Sequence, residues 1–212
     1  MKIIEPSFKI ETALNGVDAL KHVERCGRVC YKSEHNITED SYKRFIKNII
    51  DRGHESVLEH FSFTITFVCD RAISHEFVRH RPSGYSQEST RYCNYTMEKF
   101  GKEITVIRPY FFNDKPLLFD IWENACMNAE VGYFELLKNG ATAQEARTVL
   151  PHSTKTTLVM TTNLREWRHV FKLRTSPAAH PQMREIMIPA LKAVKEMFPI
   201  VFDDIEVEDY DS

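Results

Sequence analysis

The cleanest alternation of apolar and polar positions runs over residues 61–69, Phe-Ser-Phe-Thr-Ile-Thr-Phe-Val-Cys. Side chains of a strand point to alternate faces, so this stretch predicts a half-buried strand with Phe61, Phe63, Ile65 and Phe67 on one side. Residues 2–10 and 103–109 are weaker strand candidates. Helical patterns surround them. Tyr42, Phe45, Ile46, Ile49 and Ile50 recur at i, i+3 and i+4, behind Thr38 as the expected N-cap with Glu39 and Asp40 in the first turn. Residues 116–138 predict a long helix carrying Leu118, Ile121, Trp122, Ala125 and Ala129. Thr142 followed by Glu145 has the form of a capping box, opening a short helix that ends before Pro151. Leu164, Trp167 and Phe171 mark another helix, and Met183, Ile186, Met187, Ala190, Leu191, Val194 and Met197 the last, with a kink expected at Pro189. The expected class is α+β: a helix-rich single domain over residues 1–212 with a small antiparallel sheet.

Composition narrows the function classes. At 212 residues, 42% hydrophobic and 27% charged, the chain has the make-up of a soluble protein with a real core. No repeat, low-complexity tract or Gly/Ser linker divides it, and seven glycines are too few for a loop-rich all-β fold. No apolar run approaches the roughly 18–20 residues of a membrane span, and the N-terminus lacks a signal peptide's apolar core, so a cytoplasmic location off the membrane is expected. A net charge of −2 gives no field that would draw the molecule to nucleic acid, so any anion site must be built locally. The five cysteines, odd in number and without a CxxC pair, fit reduced thiols rather than disulfides or structural zinc.

Candidate chemistry concentrates in residues 79–92, which pack Arg79, Arg81 and Arg91 with His80, Ser83, Ser86, Ser89 and Thr90. Forked guanidinium donors beside hydroxyls suit a loop that grips phosphate, and a solvated polar turn fits the same residues equally well. Histidines cluster too: His54 and His60 flank Glu55 and Glu59, and His75 and His80 flank Glu76. Neither pair has the i, i+4 spacing of a helical zinc site, and no metal is expected. Within residues 163–174, Arg165 and His169 share a helix face while Leu164, Trp167 and Phe171 pack inward; a solvated basic face is the ordinary reading, as a surface arginine is for Arg147. No nucleophile motif, dinucleotide fingerprint or P-loop is present.

Taken together, these segments resemble the flavin-dependent thymidylate synthases, the ThyX family. Arg79-His80-Arg81 through Ser89-Thr90-Arg91 resembles the family's R-H-R…S-x-R signature. Gly53-His54-Glu55-Ser56 through Glu59-His60, Ala146-Arg147 through Leu150-Pro151, and Asn163 to Arg174 with His180 and Gln182 beyond resemble three further segments in the family's order. Gly84, Ser86, Gln87, Glu76 and His169 depart from its commonest residues. The resemblance implies a ThyX-like fold and reductive methylation of dUMP to dTMP. The one-carbon unit would come from methylenetetrahydrofolate, FAD would carry the hydride and NADPH would reduce the flavin. It also implies a homotetramer with active sites shared between subunits. Ser56 of a neighbouring subunit, Arg79, His80, Arg81, Gln87, Asn163, Leu164, Arg165 and His169 would hold FAD. Glu76, Phe77, Val78, Arg79, Gln87, Glu88, Ser89, Thr90, Arg91 and Arg147 would hold the nucleotide, and Arg174 would sit against the uracil as the catalytic group favouring its N3-ionised form. Two alternatives remain: a relative modifying another pyrimidine nucleotide such as dCMP, or delivering hydroxymethyl, and a nucleic-acid-binding module using the Arg/Ser/Tyr loop.

Overall fold

The computed structural model describes residues 1–11, 15–93, 95 and 101–207. Its centre is an antiparallel pair, β3 (Ser62–Asp70) and β6 (Lys155–Asn163), with Ser62 opposite Asn163 and Asp70 opposite Lys155. β2 (Ser7–Ile10) pairs with β3 on one side and β4 (Ser83–Gln87) with β6 on the other, giving the order β2-β3-β6-β4, antiparallel throughout. The small antiparallel sheet is therefore as expected, but it is accompanied by a separate parallel pair, β1 (Lys2–Ile4) and β5 (Thr105–Ile107).

The alternation over 61–69 does what its period demands: Phe63, Ile65, Phe67 and Cys69 are buried, and Thr64 and Thr66 face the other way. Each strand of the central pair ends in a residue that caps a helix. The Asp70 carboxylate accepts the Ile73 N–H at 2.7 Å and opens α3 (Arg71–Phe77); the Asn163 side chain accepts the Glu166 N–H at 2.9 Å and opens α6 (Leu164–Arg174). Because the strands are antiparallel, these helices start at opposite ends of the pair. Both fold back over its apolar face: Phe77 stacks on Phe67 at 4.4 Å, and Trp167 stacks on Phe63 at 5.1 Å while donating its indole N–H to the Phe63 carbonyl. At about 1.5 Å per residue the two helices together nearly match the length of the strands beneath, so their C-terminal ends meet near the middle. That meeting places Glu76 beside Arg174.

α1 (Gly16–Arg28), α2 (Ser41–Asp51) and α7 (Pro181–Met197) complete the main core with Leu20, Val23, Ile46, Met187 and Leu191. Helix α2 starts later than expected: Asp40, not Thr38, is its N-cap, and the Thr38 N–H instead donates to the Ser41 hydroxyl at 2.9 Å. Pro189 lies inside α7, and the capping box of Thr142 and Glu145 opens α5 (Ala143–Ala146).

α4 (Pro116–Lys138) has the expected bounds, but it buries Cys126 and Tyr133 against Ile104, Val106 and Ala146. Leu117, Ile121 and Val131 stand 70%, 59% and 61% exposed and form an apolar face largely open to solvent.

A second difference concerns the basic stretch 163–174. Arg165 and His169 are exposed as expected, but Arg168 is 1% exposed. Its guanidinium reaches Asp204 at 2.6 and 2.9 Å, Glu55 at 3.1 and 3.3 Å, and the Val201 carbonyl, tying α6 to the 3₁₀ turn Glu55–His60 and to the C-terminal segment.

Candidate active site

Where α3 and α6 converge, four side chains form a continuous polar chain. Arg174 pairs through Nη1 with the Glu76 carboxylate, donates through Nη2 to the Glu76 carbonyl at 2.9 Å, and donates through Nε to His80 Nε2 at 3.0 Å. His80 Nδ1 lies 3.3 Å from Glu166 Oε1. An arginine Nε–H has no accepting capacity, so His80 Nε2 must be the acceptor and Nδ1 the protonated nitrogen of a neutral ring. Burial, and then the charges of Arg174 and His169, hold the His80 imidazole at about 4, below its usual 6.5. The unfolded chain thus binds a proton across that window that the fold refuses. Stability carried by neutral His80 is present above 6.5 and lost as pH falls towards about 4. The stability advantage of the native protein over His80→Gln, read as a difference in urea midpoints, should grow with pH over this range; a difference independent of pH would contradict the assignment.

Glu166, at one end of this chain, also lines a cleft, and His75, next to Glu76 in α3, lines a second. One, of about 430 Å³, is lined by Glu59, Arg81, Pro82, Asn163, Arg165, Glu166 and His169. Arg165 is paired with Glu59 at 2.6 Å, and Arg81 donates to the Val78 and His80 carbonyls at 2.8 and 2.9 Å. The other, of about 250 Å³, is lined by Arg71, His75, Thr90, Arg147, Thr148, Leu150, Pro151 and His152. Its two arginines and two imidazoles beside two threonines suit an anion such as a phosphate monoester.

The residues expected from sequence divide between these places. Arg81, Asn163, Arg165 and His169 share the larger cleft, and Thr90 and Arg147 the smaller. Glu76, His80 and Arg174 form the chain between α3 and α6. Arg79 is exposed, and Arg91 donates to Gln144 at 3.1 Å. Ser89 accepts the Arg91 N–H at 3.2 Å, and Glu88 pairs with Lys155 at 2.6 Å. Ser56 is exposed on the 3₁₀ turn and lines neither cleft.

Several expectations need correction. The Phe77 and Leu164 side chains are fully buried in the core, because they occupy the inward positions of their helices, and the Leu164 N–H and Phe77 carbonyl are engaged by Phe61 and Tyr85; Val78 is half-buried. Both amide N–H groups of Gln87 are spent inside, on Ser74 at 2.8 Å and Thr156 at 3.2 Å. The stretch 79–92 is not all loop: residues 83–87 pair with β6 as the sheet edge. A Cβ added at Gly84 would meet only the Thr161 carbonyl, at 4.0 Å, so packing does not require glycine there. Sequence reasoning did not single out Arg71 or His152 and weighed His75 only for a metal, whereas the fold gathers all three from two segments far apart in the chain.

Among the described residues, His80, Glu166 and His169 have ligand atoms within 4.8 Å of one another, close enough for a metal. Both His80 nitrogens are already engaged, and the Arg174 cation 3.0 Å from Nε2 opposes a divalent ion, so the trio fits a hydrogen-bonded role better. The cysteines form no disulfide among the described residues, and burial pushes the Cys69 and Cys126 thiols up, away from a thiolate nucleophile. No helix among the described residues is long and apolar enough to cross a membrane.

This mixed fold, with its arginine-lined clefts and a fixed guanidinium between two helices, is that of an α+β protein. The family model described as "Thymidylate synthase complementing protein" matches residues 14–200. The chain is 34% identical over 221 residues to a protein of Mycolicibacterium vanbaalenii named flavin-dependent thymidylate synthase, covering 95% of this chain and 85% of the relative. A protein of the same name from Pyrococcus abyssi is 34% identical over 174 residues, covering 80% and 70%. Among solved structures, the UMP/dUMP methylase PolB from Streptomyces cacaoi, bound with 5-Br dUMP, superposes with a TM-score of 0.77 at 22% identity, covering 96% of each chain. The chain belongs to the flavin-dependent thymidylate synthase family.

Proposed function

We propose that the protein methylates dUMP to dTMP, taking the one-carbon unit from methylenetetrahydrofolate, with FAD as hydride carrier and NADPH as the reductant of the flavin. The observation that carries this reading is the clamped Arg174, a permanently charged donor held by Glu76 and His80, with Glu166 beyond His80 lining the larger cleft and His75, next to Glu76 in α3, lining the smaller. A guanidinium keeps its proton at any physiological pH, so it stabilises a developing N3 anion of uracil without proton transfer. The nucleotide phosphate is assigned to the smaller cleft, where Arg147, Arg71 and Thr90 converge, with Arg91 and Ser89 nearby in the chain. The larger cleft fits a flavin: Arg81 and Arg165 offer forked donors to a diphosphate, and Pro82, Asn163 and His169 give it a wall. When bound, FAD supplies the hydride that completes the methyl group. The absence of a nucleophile motif agrees with chemistry carried by flavin and folate. Protein as purified should show an oxidised-flavin spectrum or acquire it with added FAD; colourless protein that refuses FAD yet binds oligonucleotides with steep salt dependence would overturn this reading in favour of nucleic-acid binding.

A homotetramer is part of the same proposal. The exposed apolar face of α4 needs a cover, and Ser56, outside both clefts of its own chain, is free to complete a neighbour's. Replacing Leu117 and Ile121 together by lysine should yield a smaller species on sedimentation, with FAD affinity lowered at least about tenfold. Unchanged sedimentation would remove α4 from the interface.

Glu76 favours testing a second reading, a different pyrimidine nucleotide. Its carboxylate holds Arg174 rather than standing open to a base amino group, so dUMP remains the expected substrate. Comparing turnover of dUMP, UMP and dCMP by the native protein and Glu76→Gln decides it: a preference for dCMP would displace dUMP methylation.

A further inference from the structure

Glu166 occupies the first turn of α6, opened by the Asn163 cap, and faces His80 from the opposite side to Arg174. His80 is 4% exposed and the Glu166 side chain 12%, so their contact is shielded from water. The orientation of the ring leaves two tautomers to compare. With the proton on Nδ1, that proton faces the Glu166 carboxylate across a 3.3 Å ionic contact, and the Nε2 lone pair accepts from Arg174. With the proton on Nε2, two N–H groups would face each other at 3.0 Å on the Arg174 side, and a lone pair would face a carboxylate oxygen at 3.3 Å on the other. The second arrangement exchanges two attractions for two repulsions in a poorly screened setting. No other described side chain replaces Glu166 here: His169 touches His80 edge-on, its ring centroid 5.7 Å away, and Tyr85 and Arg81 contact only the His80 carbonyl.

We propose that Glu166 is a positioning residue for Arg174, acting through His80. By accepting the Nδ1–H it selects the tautomer whose Nε2 holds Arg174 Nε, while Glu76 holds the two terminal nitrogens. The guanidinium is then fixed along both its edges, and its plane is set before a nucleotide arrives. Losing the Glu166 acceptor frees the ring to change tautomer or turn, and Arg174 loses one of its anchors. This inference rests on the reading of Arg174 as the group facing the pyrimidine, although the tautomer assignment does not.

The test uses 15N-histidine spectra of the purified, flavin-containing protein together with steady-state dTMP formation. The native protein should show His80 protonated at Nδ1, assigned by loss of its signals in His80→Gln. Glu166→Ala should give a mixture of tautomers and, measured at saturating FAD because Glu166 also lines the cleft assigned to the flavin, lower kcat about tenfold. Glu166→Gln, whose amide oxygen still accepts from Nδ1–H, should recover most of that loss; Glu166→Leu carries the same comparison if the alanine variant does not fold. A native tautomer and native kcat in Glu166→Ala or Glu166→Leu would overturn the proposal. So would a Glu166→Gln as defective as Glu166→Ala, which would assign the carboxylate's charge to the flavin cleft. If Arg174 is not the group facing the base, the tautomer will still shift in Glu166→Ala while kcat stays native, which separates that failure from this one.

Discussion

Arg174→Ala should lower dTMP formation by about a hundred- to a thousandfold, the usual cost of removing a preorganised donor from a developing negative charge. Flavin reduction by NADPH should survive, because Arg174 does not line the cleft assigned to the flavin. Stopped-flow absorbance separates the two half-reactions. The expected record is normal bleaching on reduction followed by reoxidation that no longer yields dTMP. Lysine at this position should rescue little, since a point charge reproduces neither the contact through Nε nor the forked pair to Glu76. Equal loss of FAD binding and methylation would make Arg174 a structural arginine.

The second large effect is on stability. Arg168 is enclosed, with its side chain 2% exposed, and is paired with Glu55 and Asp204. Burial alone would raise the Asp204 carboxyl, but hydrogen bonds and charge from Arg168 and Lys172 outweigh it and hold Asp204 at about 2. Arg168→Ala removes the cation, orphans the Val201 carbonyl and leaves a void, at a cost of about 3–5 kcal/mol. Against a typical stability of roughly 5–15 kcal/mol, that is a large part of the whole. Urea unfolding should report it as a lower midpoint with an unchanged slope. A change below about 1 kcal/mol would show that the network is solvated and weak. Asp204→Asn should cost much less, because Asp204 is 43% exposed and Glu55 still faces the cation.

What was legible in the sequence is what short-range periodicity encodes. The alternation of Phe61 to Phe67, the spacing of Leu164, Trp167 and Phe171, and the Thr142–Glu145 box each describe neighbours within a turn or a pleat, and each holds in the fold. The central strand β6 escaped this reading because its threonines, though β-branched, look polar; Thr156 and Thr162 are buried nonetheless. β4 escaped for a related reason: an edge strand built from Ser83, Gly84 and Ser86 has the composition of a turn. Arg168 read as one more cation on a basic face, since nothing in the local pattern reveals a partner 113 residues earlier at Glu55.

The site follows the same logic. Motif resemblance assigned Arg81, Arg165 and His169 to the flavin and Thr90 and Arg147 to the nucleotide; in the fold the first three line one cleft and the other two a second. It also assigned Leu164 and Phe77 to ligands, where a core position takes the side chain out of reach. The contact between Glu76 and Arg174 spans 98 residues and arises because two helices start from opposite ends of one strand pair. Spacing along the chain carries no trace of it.

The central claim is that this chain transfers a methyl group to dUMP with electrons from its flavin. The most direct measurement is a single turnover without oxygen: protein whose flavin has been reduced beforehand, mixed with dUMP and methylenetetrahydrofolate labelled in its methylene carbon. Labelled dTMP is expected in about one-to-one proportion to flavin reoxidised, with no NADPH present. Flavin that stays reduced, or reoxidises without labelled dTMP, would contradict it.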